Sequence, residues 1–217
     1  MTAKKAVEND ISYRLISSPK KAILKEIPIE KRGFVLLRLS KFVQQKLLNQ
    51  LNTEEIVNIF NYLAPDDITD LLQNILDQKK RTSVIAELSS DIRKKVEFLL
   101  KFNPRTAAGL MSLDYIKVNK DLTFNQVSNI IQEHEKRTGK FPTILVVDKS
   151  DNLTGELPGH IFALRKKTEK ISSYAEHVPT IKQDRDEIRV LRVFKKHPGN
   201  KIVVTDDNKS ILGVIYS

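Results

Sequence analysis

From Ile27 onward an apolar residue returns at every twelfth position, at Leu39, Leu51, Leu63 and Ile75, and a second ladder of Leu36, Leu48, Phe60 and Leu72 runs at the same interval. Twelve residues leave room for a helix of two or three turns and a tight connection, and for nothing longer. Helices that short do not hold alone in water, so each must stack on its neighbours and bury a continuous stripe. The punctuation agrees, because Pro28, Ser40, Asn52–Thr53 and Pro65–Asp66 fall where caps and first turns belong. The spacing therefore predicts a superhelix of short stacked helices. Two longer helices close it, over Thr82–Leu88 and, capped by Ser90 or Asp91, over Ile92–Lys101, the second burying Ile92, Val96, Leu99 and Leu100. The first 20 residues are weakly patterned, as a frayed end or one irregular helix would be.

Near the midpoint the rhythm changes. Asn103–Pro104 marks a turn, Ala107, Ala108 and Gly109 allow close backbone approach, and beyond Met111 short β-branched runs alternate with helices. The order reads β-α-β-β-α, twice. Tyr115–Val118 is a strand, and Thr123 caps a helix with Phe124, Val127, Ile130 and Ile131 inward; Thr143–Val147 and Leu153–Leu157 form a hairpin. In the second copy Val178–Ile181 is the strand, Asp184–Lys196 the helix with Ile188, Leu191 and Phe194 inward, and Lys201–Thr205 with Ile211–Tyr216 the hairpin. The expected organisation is a helical-repeat domain over residues 1–102, a junction over 103–113, and two βαββα units over 114–167 and 168–217. The fold class is α plus α/β.

The formal charge is +10. It is spread evenly, with 18 Lys and Arg against 13 Asp and Glu up to residue 102 and 19 against 14 beyond it. No basic arm stands apart and no aromatics interleave the basic clusters, which argues against nucleic acid as a partner. There is no cysteine, hence no disulfide and no thiolate chemistry. The start lacks a signal-peptide core and no apolar run is long enough to span a membrane, so a soluble cytoplasmic piece is expected. The four histidines, His134, His160, His177 and His197, show no short metal-ligand spacing, and no phosphate loop or nucleophile motif is present, so no enzymatic activity is expected.

One stretch runs against the overall charge. From Leu47 to Gln78 there is no Lys or Arg, whereas Glu54, Glu55, Asp66, Asp67, Asp70 and Asp77 are all acidic. Asp66 and Asp70 are four apart and project from one helix face, close enough to share a hard cation through oxygen ligands or its hydration shell. Helix capping alone is the simpler account of Glu54, Glu55, Asp66 and Asp67, which lie in first turns favoured by the helix dipole.

Two features together resemble a known family. Leu63–Leu72 has the pattern L-x-P-x-D-x-x-D-L-L, and Ala108-Gly109-Leu110-Met111 stands at a junction between 12-residue helical units and a duplicated hairpin, Val146-Val147-Asp148 returning through Gly155 and Val203-Val204-Thr205-Asp206 returning through Gly213. The whole is similar to the cytosolic region of the MgtE magnesium transporters and channels: a helical N domain followed by a tandem CBS pair. The resemblance implies a cytosolic sensor in which Mg2+ bridges acids on the helical and CBS domains and so gates a membrane portion. Asp66 and Asp70 fall on matching acidic positions, with Asp67 and Glu54 nearby. The junction departs from the family pattern in carrying Arg105 where acids are usual, and His197-Pro198 stands where a sensor acid is common. Arg105, Lys195 or Lys196 pairing directly with Asp66 and Asp70 would give a locked, Mg2+-independent interface. Ser217 falls ahead of the family's T-x-D-D segment and membrane spans.

CBS pairs also bind adenine nucleotides, and in this resemblance His160 takes the usual ribose-binding Asp place with Gly159 beside it. The resemblance further implies a homodimer through the CBS units, a membrane transporter portion as partner, and a location at the inner face of the cell membrane. Two other readings remain: a stand-alone CBS sensor of adenine nucleotide, and an interaction adaptor that has kept the fold without a ligand.

Overall fold

The computed structural model describes residues 24–197, 199 and 201–217, so the reading of the first 20 residues lies outside it. Two compact units meet at Lys101/Phe102.

Six short helices make the described part of the first unit: α1 (Ile29–Leu37), α2 (Lys41–Gln50), α3 (Thr53–Phe60), α4 (Pro65–Gln73), α5 (Gln78–Glu87) and α6 (Ser90–Leu99). Successive starts are twelve residues apart except between α4 and α5, where one residue is inserted. The repeat thus runs through α6, further than the sequence reading took it. Leu36, Leu48, Phe60 and Leu72 continue at the same spacing into Val84 and Val96, and all six are essentially inaccessible to solvent. The other ladder takes up the inserted residue, passing from Ile75 to Leu88. Packing joins α1 to α3, α3 to α5 and α4 to α6, as a superhelix of stacked short helices requires.

Local chemistry sets several of these starts. Asn52 and Glu55 form a reciprocal capping box on α3. Pro65 occupies the first turn of α4, where its missing N–H costs nothing. The helix expected from Thr82 begins instead at Gln78, because Asp77 Oδ1 accepts from Lys79 N at 2.9 Å and Lys80 N at 3.2 Å. A charged first turn hid that start from a search for apolar positions. Likewise α6 begins at Ser90, two polar residues ahead of Ile92, so its N-cap is Ser89 and the expected caps Ser90 and Asp91 lie inside the first turn.

The second unit holds two copies of one motif. In the first, β1 (Tyr115–Asn119) pairs in parallel with β2 (Thr143–Val147) across the crossover helix α7 (Phe124–Thr138), and β2 pairs antiparallel with β3 (Leu153–Glu156). In the second, β4 (Thr180–Lys182), α8 (Glu187–Lys196), β5 (Lys201–Thr205) and β6 (Ile211–Tyr216) repeat the order. The helix expected to close the first copy is a 3-10 turn over Gly159–Ala163, behind Pro158. Thr123 caps α7 as expected, with Phe124, Val127 and Ile131 buried.

The inward face expected for α8 is corrected. Ile188 and Leu191 are each 60% exposed, and Val190 is the buried residue. Asp186 accepts from Arg189 N at 2.8 Å and starts the helix there, which turns Val190 toward the sheet and leaves Ile188 and Leu191 on the outer side.

Each copy is completed by the segment that leads into the other. Residues 107–112 add to the second copy: Ala107 N donates to Arg185 O at 2.7 Å, Ala108 N to Gln183 O at 3.1 Å, and Ser112 pairs with Val214. Residues 170–176 do the same for the first, through Thr123–Lys170 and Glu156–Glu176 bridges. The Gly109–Met111 junction is therefore built into the second unit. A Cβ at Gly109 would fall 2.1 Å from Asn103 O, so only glycine closes this turn. Buried Met111 lies on Gly213 of β6, with side-chain atoms 2.7–2.9 Å from where a Cβ there would stand.

Candidate functional site

Ile68, Thr69, Leu71 and Leu72 of α4 face the core of the helical unit, and this fixes the opposite face as Asp66, Asp67, Asp70 and Gln73. Thr69 Oγ donates back to Pro65 O at 2.7 Å, so no polar group of that residue is left unmet in the core. Asn74, the C-cap, donates from Nδ2 to Asp70 O at 3.1 Å and to Gln44 Oε1 at 2.7 Å. Buried Gln44 in turn donates to Leu36 O at 2.9 Å and Leu39 O at 3.1 Å, closing the C-terminal end of α1. Uncharged amides thus tie the acidic helix to the helix two repeats before it.

The Asp70 carboxyl is pushed above the usual carboxylate range. Although the residue is solvent-exposed overall, crowding by surrounding protein is the largest cause; the Asp66 carboxylate adds to it, and Lys41 pulls the other way. Repulsion of this kind between two acids on one helix face is relieved by a cation placed between them. Asp67 lies beside them in the same first turn. Glu54 is exposed in the first turn of α3. Among the described residues no three His, Asp or Glu side chains gather into a group able to hold a metal ion.

Lys80 re-enters this acidic stretch. Its Nζ donates to Leu48 O at 2.7 Å, to Asn49 O at 3.0 Å and to Leu51 O, capping the C-terminus of α2 from α5. Sequence reasoning missed it because Lys80 lies 32 residues from Leu48, and only the stacking of repeats brings them together.

Of the junction residues, Arg105 is exposed and its backbone N–H donates to Asn103 Oδ1 at 2.9 Å, whereas Gly109 and Met111 are packing positions. In the first β-containing copy Gly159 and His160 are exposed and open the 3-10 turn. The Phe141 ring stands 3.0 Å from where a Gly159 Cβ would be. Nearby, Phe124 packs edge-on against Phe162 with centroids 5.2 Å apart, and Tyr174 donates to Glu169 at 2.5 Å beneath the Arg165 guanidinium. The structure also brings together a pair with no sequence signal: the rings of His177 and His197 lie 6.4 Å apart, centroid to centroid.

A stacked helical-repeat unit followed by two interlocked βαββ copies defines the class, a helical-repeat domain joined to a CBS pair. The MgtE intracellular N domain family matches residues 10–105. The magnesium transporter MgtE of Thermus thermophilus is 24% identical over 212 residues, which is 89% of this chain and 46% of that protein, so the chain spans about half the length of the curated relative it matches. A crystal structure of the cytosolic domain of the Mg2+ channel MgtE in complex with ATP superposes with a TM-score of 0.87 at 22% identity, covering 96% of this chain and 87% of that one. The soluble part of a magnesium transporter gives 0.67 at 17%, covering 97% and 93%. The chain as a whole is thus similar to the cytosolic region of the MgtE family. No described helix is long and apolar enough to cross a membrane.

Proposed function

We propose that this chain is a cytoplasmic regulatory module of a divalent-cation transport system, held at the inner face of the membrane, and that Mg2+ at Asp66 and Asp70 is the signal it reads. The observation that carries this reading is the Asp66–Asp70 pair: a helix face anchored by an uncharged amide network, on which one carboxylate raises the proton affinity of the other. Similarity to the MgtE cytosolic region supplies the biological setting. In this proposal Mg2+ occupancy favours closure of the helical unit with the CBS unit and so closes transport, because an ion that binds one state better shifts the balance toward it. Asp67 and Glu54 contribute field rather than direct ligation, Arg105 tunes the junction, and the module acts as a homodimer through its CBS units.

We extend the proposal to adenine nucleotide as a second ligand of the CBS pair, because the similar channel domain was crystallised with ATP. His160 and Gly159 then line the approach rather than grip the ribose, since Phe141 already lies over Gly159.

Thermal melting of the chain in MgCl2, against NaCl at matched ionic strength, tests the Mg2+ reading. A site of about 1 mM at ~10 mM Mg2+ stabilises by roughly 1.4 kcal/mol, a visible shift. A Mg2+-specific rise that disappears in Asp66→Ala/Asp70→Ala supports it. A response equal to that of NaCl refutes it.

A further inference from the structure

We propose that His177 and His197 form a binding site for a borderline transition-metal dication of the Ni2+, Zn2+ or Cu2+ class, distinct from the Mg2+ reading above. His177 sits in the lead-in to β4 and His197 is the C-cap of α8, twenty residues on in sequence. Both side chains are exposed and their rings stand 6.4 Å apart at 58°. Two imidazoles sharing one ion through bonds of about 2.0–2.1 Å have centroids roughly 5 to 6.5 Å apart, so the observed separation needs only small rotations about exposed side-chain bonds.

The backbone under each ring is already fixed. Glu176, next to His177, exchanges two 2.8 Å hydrogen bonds with Glu156 of β3, and His197 N donates to Val193 O at 2.9 Å. Only side-chain rotamers remain to be set when the ion arrives, which keeps the ordering cost low. The C-terminal end of α8 carries the negative pole of the helix and favours a cation there. The charged neighbours are Lys195 and Lys196 on the same helix end, Glu176, and the Lys201–Glu156 pair.

Ligand type selects the ion. Imidazole suits Zn2+, Ni2+ and Cu2+, whereas Mg2+ takes oxygen ligands. Because no third His, Asp or Glu joins the pair among the described residues, water fills the remaining positions and binding is moderate. An ion held here ties the lead-in of β4 to the end of α8, which packs on β5, and so stiffens the second CBS copy.

Calorimetric titration of the untagged chain with NiCl2 and ZnCl2 tests the proposal. One saturable ion per chain is expected, with a raised melting temperature, and ~10 mM MgCl2 leaves it unchanged. Binding weakens about tenfold or more in His177→Ala and in His197→Ala and is unaltered in His160→Ala. Both substituted side chains are exposed, so the metal-free melting temperature stays at the parent value. Absence of saturable binding, undiminished binding in both single variants, loss only in His160→Ala, or competition by Mg2+ overturns it. Because the Mg2+ reading is tested at Asp66 and Asp70, failure of either leaves the other standing.

Discussion

Gly213 and Gly155 occupy the same position in the two β-hairpins, yet they face different obstacles, and the difference predicts how each responds to a methyl group. At Gly213 an added Cβ would stand 2.7 Å from Met111 Cγ, 2.8 Å from its Sδ and 2.9 Å from its Cβ, well inside ordinary contact. Met111 is buried, so its side chain must give up part of its packing to make room. Overpacking of this kind costs about 1–3 kcal/mol. At Gly155 the Cβ would meet Glu176 O at 2.5 Å, a carbonyl held by a 2.8 Å hydrogen bond from Glu156 N, so the obstacle is backbone that cannot rotate away. Gly155→Ala should therefore cost about 3 kcal/mol or more, counting the disturbed bridge. Met111→Ala removes two of the three clashing atoms at Gly213 and none at Gly155. In urea unfolding followed by circular dichroism, Gly213→Ala combined with Met111→Ala should be less damaging than the sum of the single changes by about 1 kcal/mol or more, while Gly155→Ala with Met111→Ala should simply add. Additivity of the Gly213 pair to within about 0.5 kcal/mol, or a Gly155→Ala variant milder than Gly213→Ala, would refute the reasoning.

Two further outcomes follow from the helical unit. Lys80→Met keeps the stem and removes the ammonium that caps α2, leaving the Leu48, Asn49 and Leu51 carbonyls without that donor; a loss of about 2 kcal/mol in chemical denaturation is expected, largely recovered by Arg, and an unchanged midpoint would show that water replaces the lysine freely. Asp70 has its proton affinity raised in the folded state, so its contribution to stability is greatest at low pH and falls as pH rises through the interval between the ordinary carboxylate value and the raised one; Asp70→Asn should flatten that part of the stability–pH curve and raise the melting temperature at neutral pH without Mg2+, and a lowered melting temperature would contradict the assignment.

The helical unit was readable because its repeat is both local and periodic. A twelve-residue interval of Leu and Ile has one economical burial, and Pro28, Ser40, Asn52 and Pro65 mark helix starts through their own backbone chemistry. What blurred the reading was also local: polar first turns at Gln78 and Ser90 concealed the continuation of the repeat into α5 and α6. In the second unit the strands and α7 could be read from β-branched runs and the Thr123 cap, but the outward turn of Ile188 and Leu191 could not. An apolar residue on a short helix is compatible with either face until the cap and the sheet fix the rotation.

The candidate sites divide in the same way. Asp66 and Asp70 are four residues apart on one helix, so their shared face followed from spacing alone, whereas the burial that raises Asp70 depends on the packed fold and the opposing Lys41 comes from a helix two repeats away. Lys80 against the end of α2, Met111 on Gly213, and His177 beside His197 join residues 20 to 102 positions apart in sequence, and no local pattern announces them. By itself the sequence determined the repeat, the helix and strand order, the duplication and the acidic face, because each depends on neighbours within one or two turns. Only the tertiary structure decided which carbonyls a distant lysine caps, which copy the junction completes and which histidines meet, because those outcomes depend on how whole elements stack.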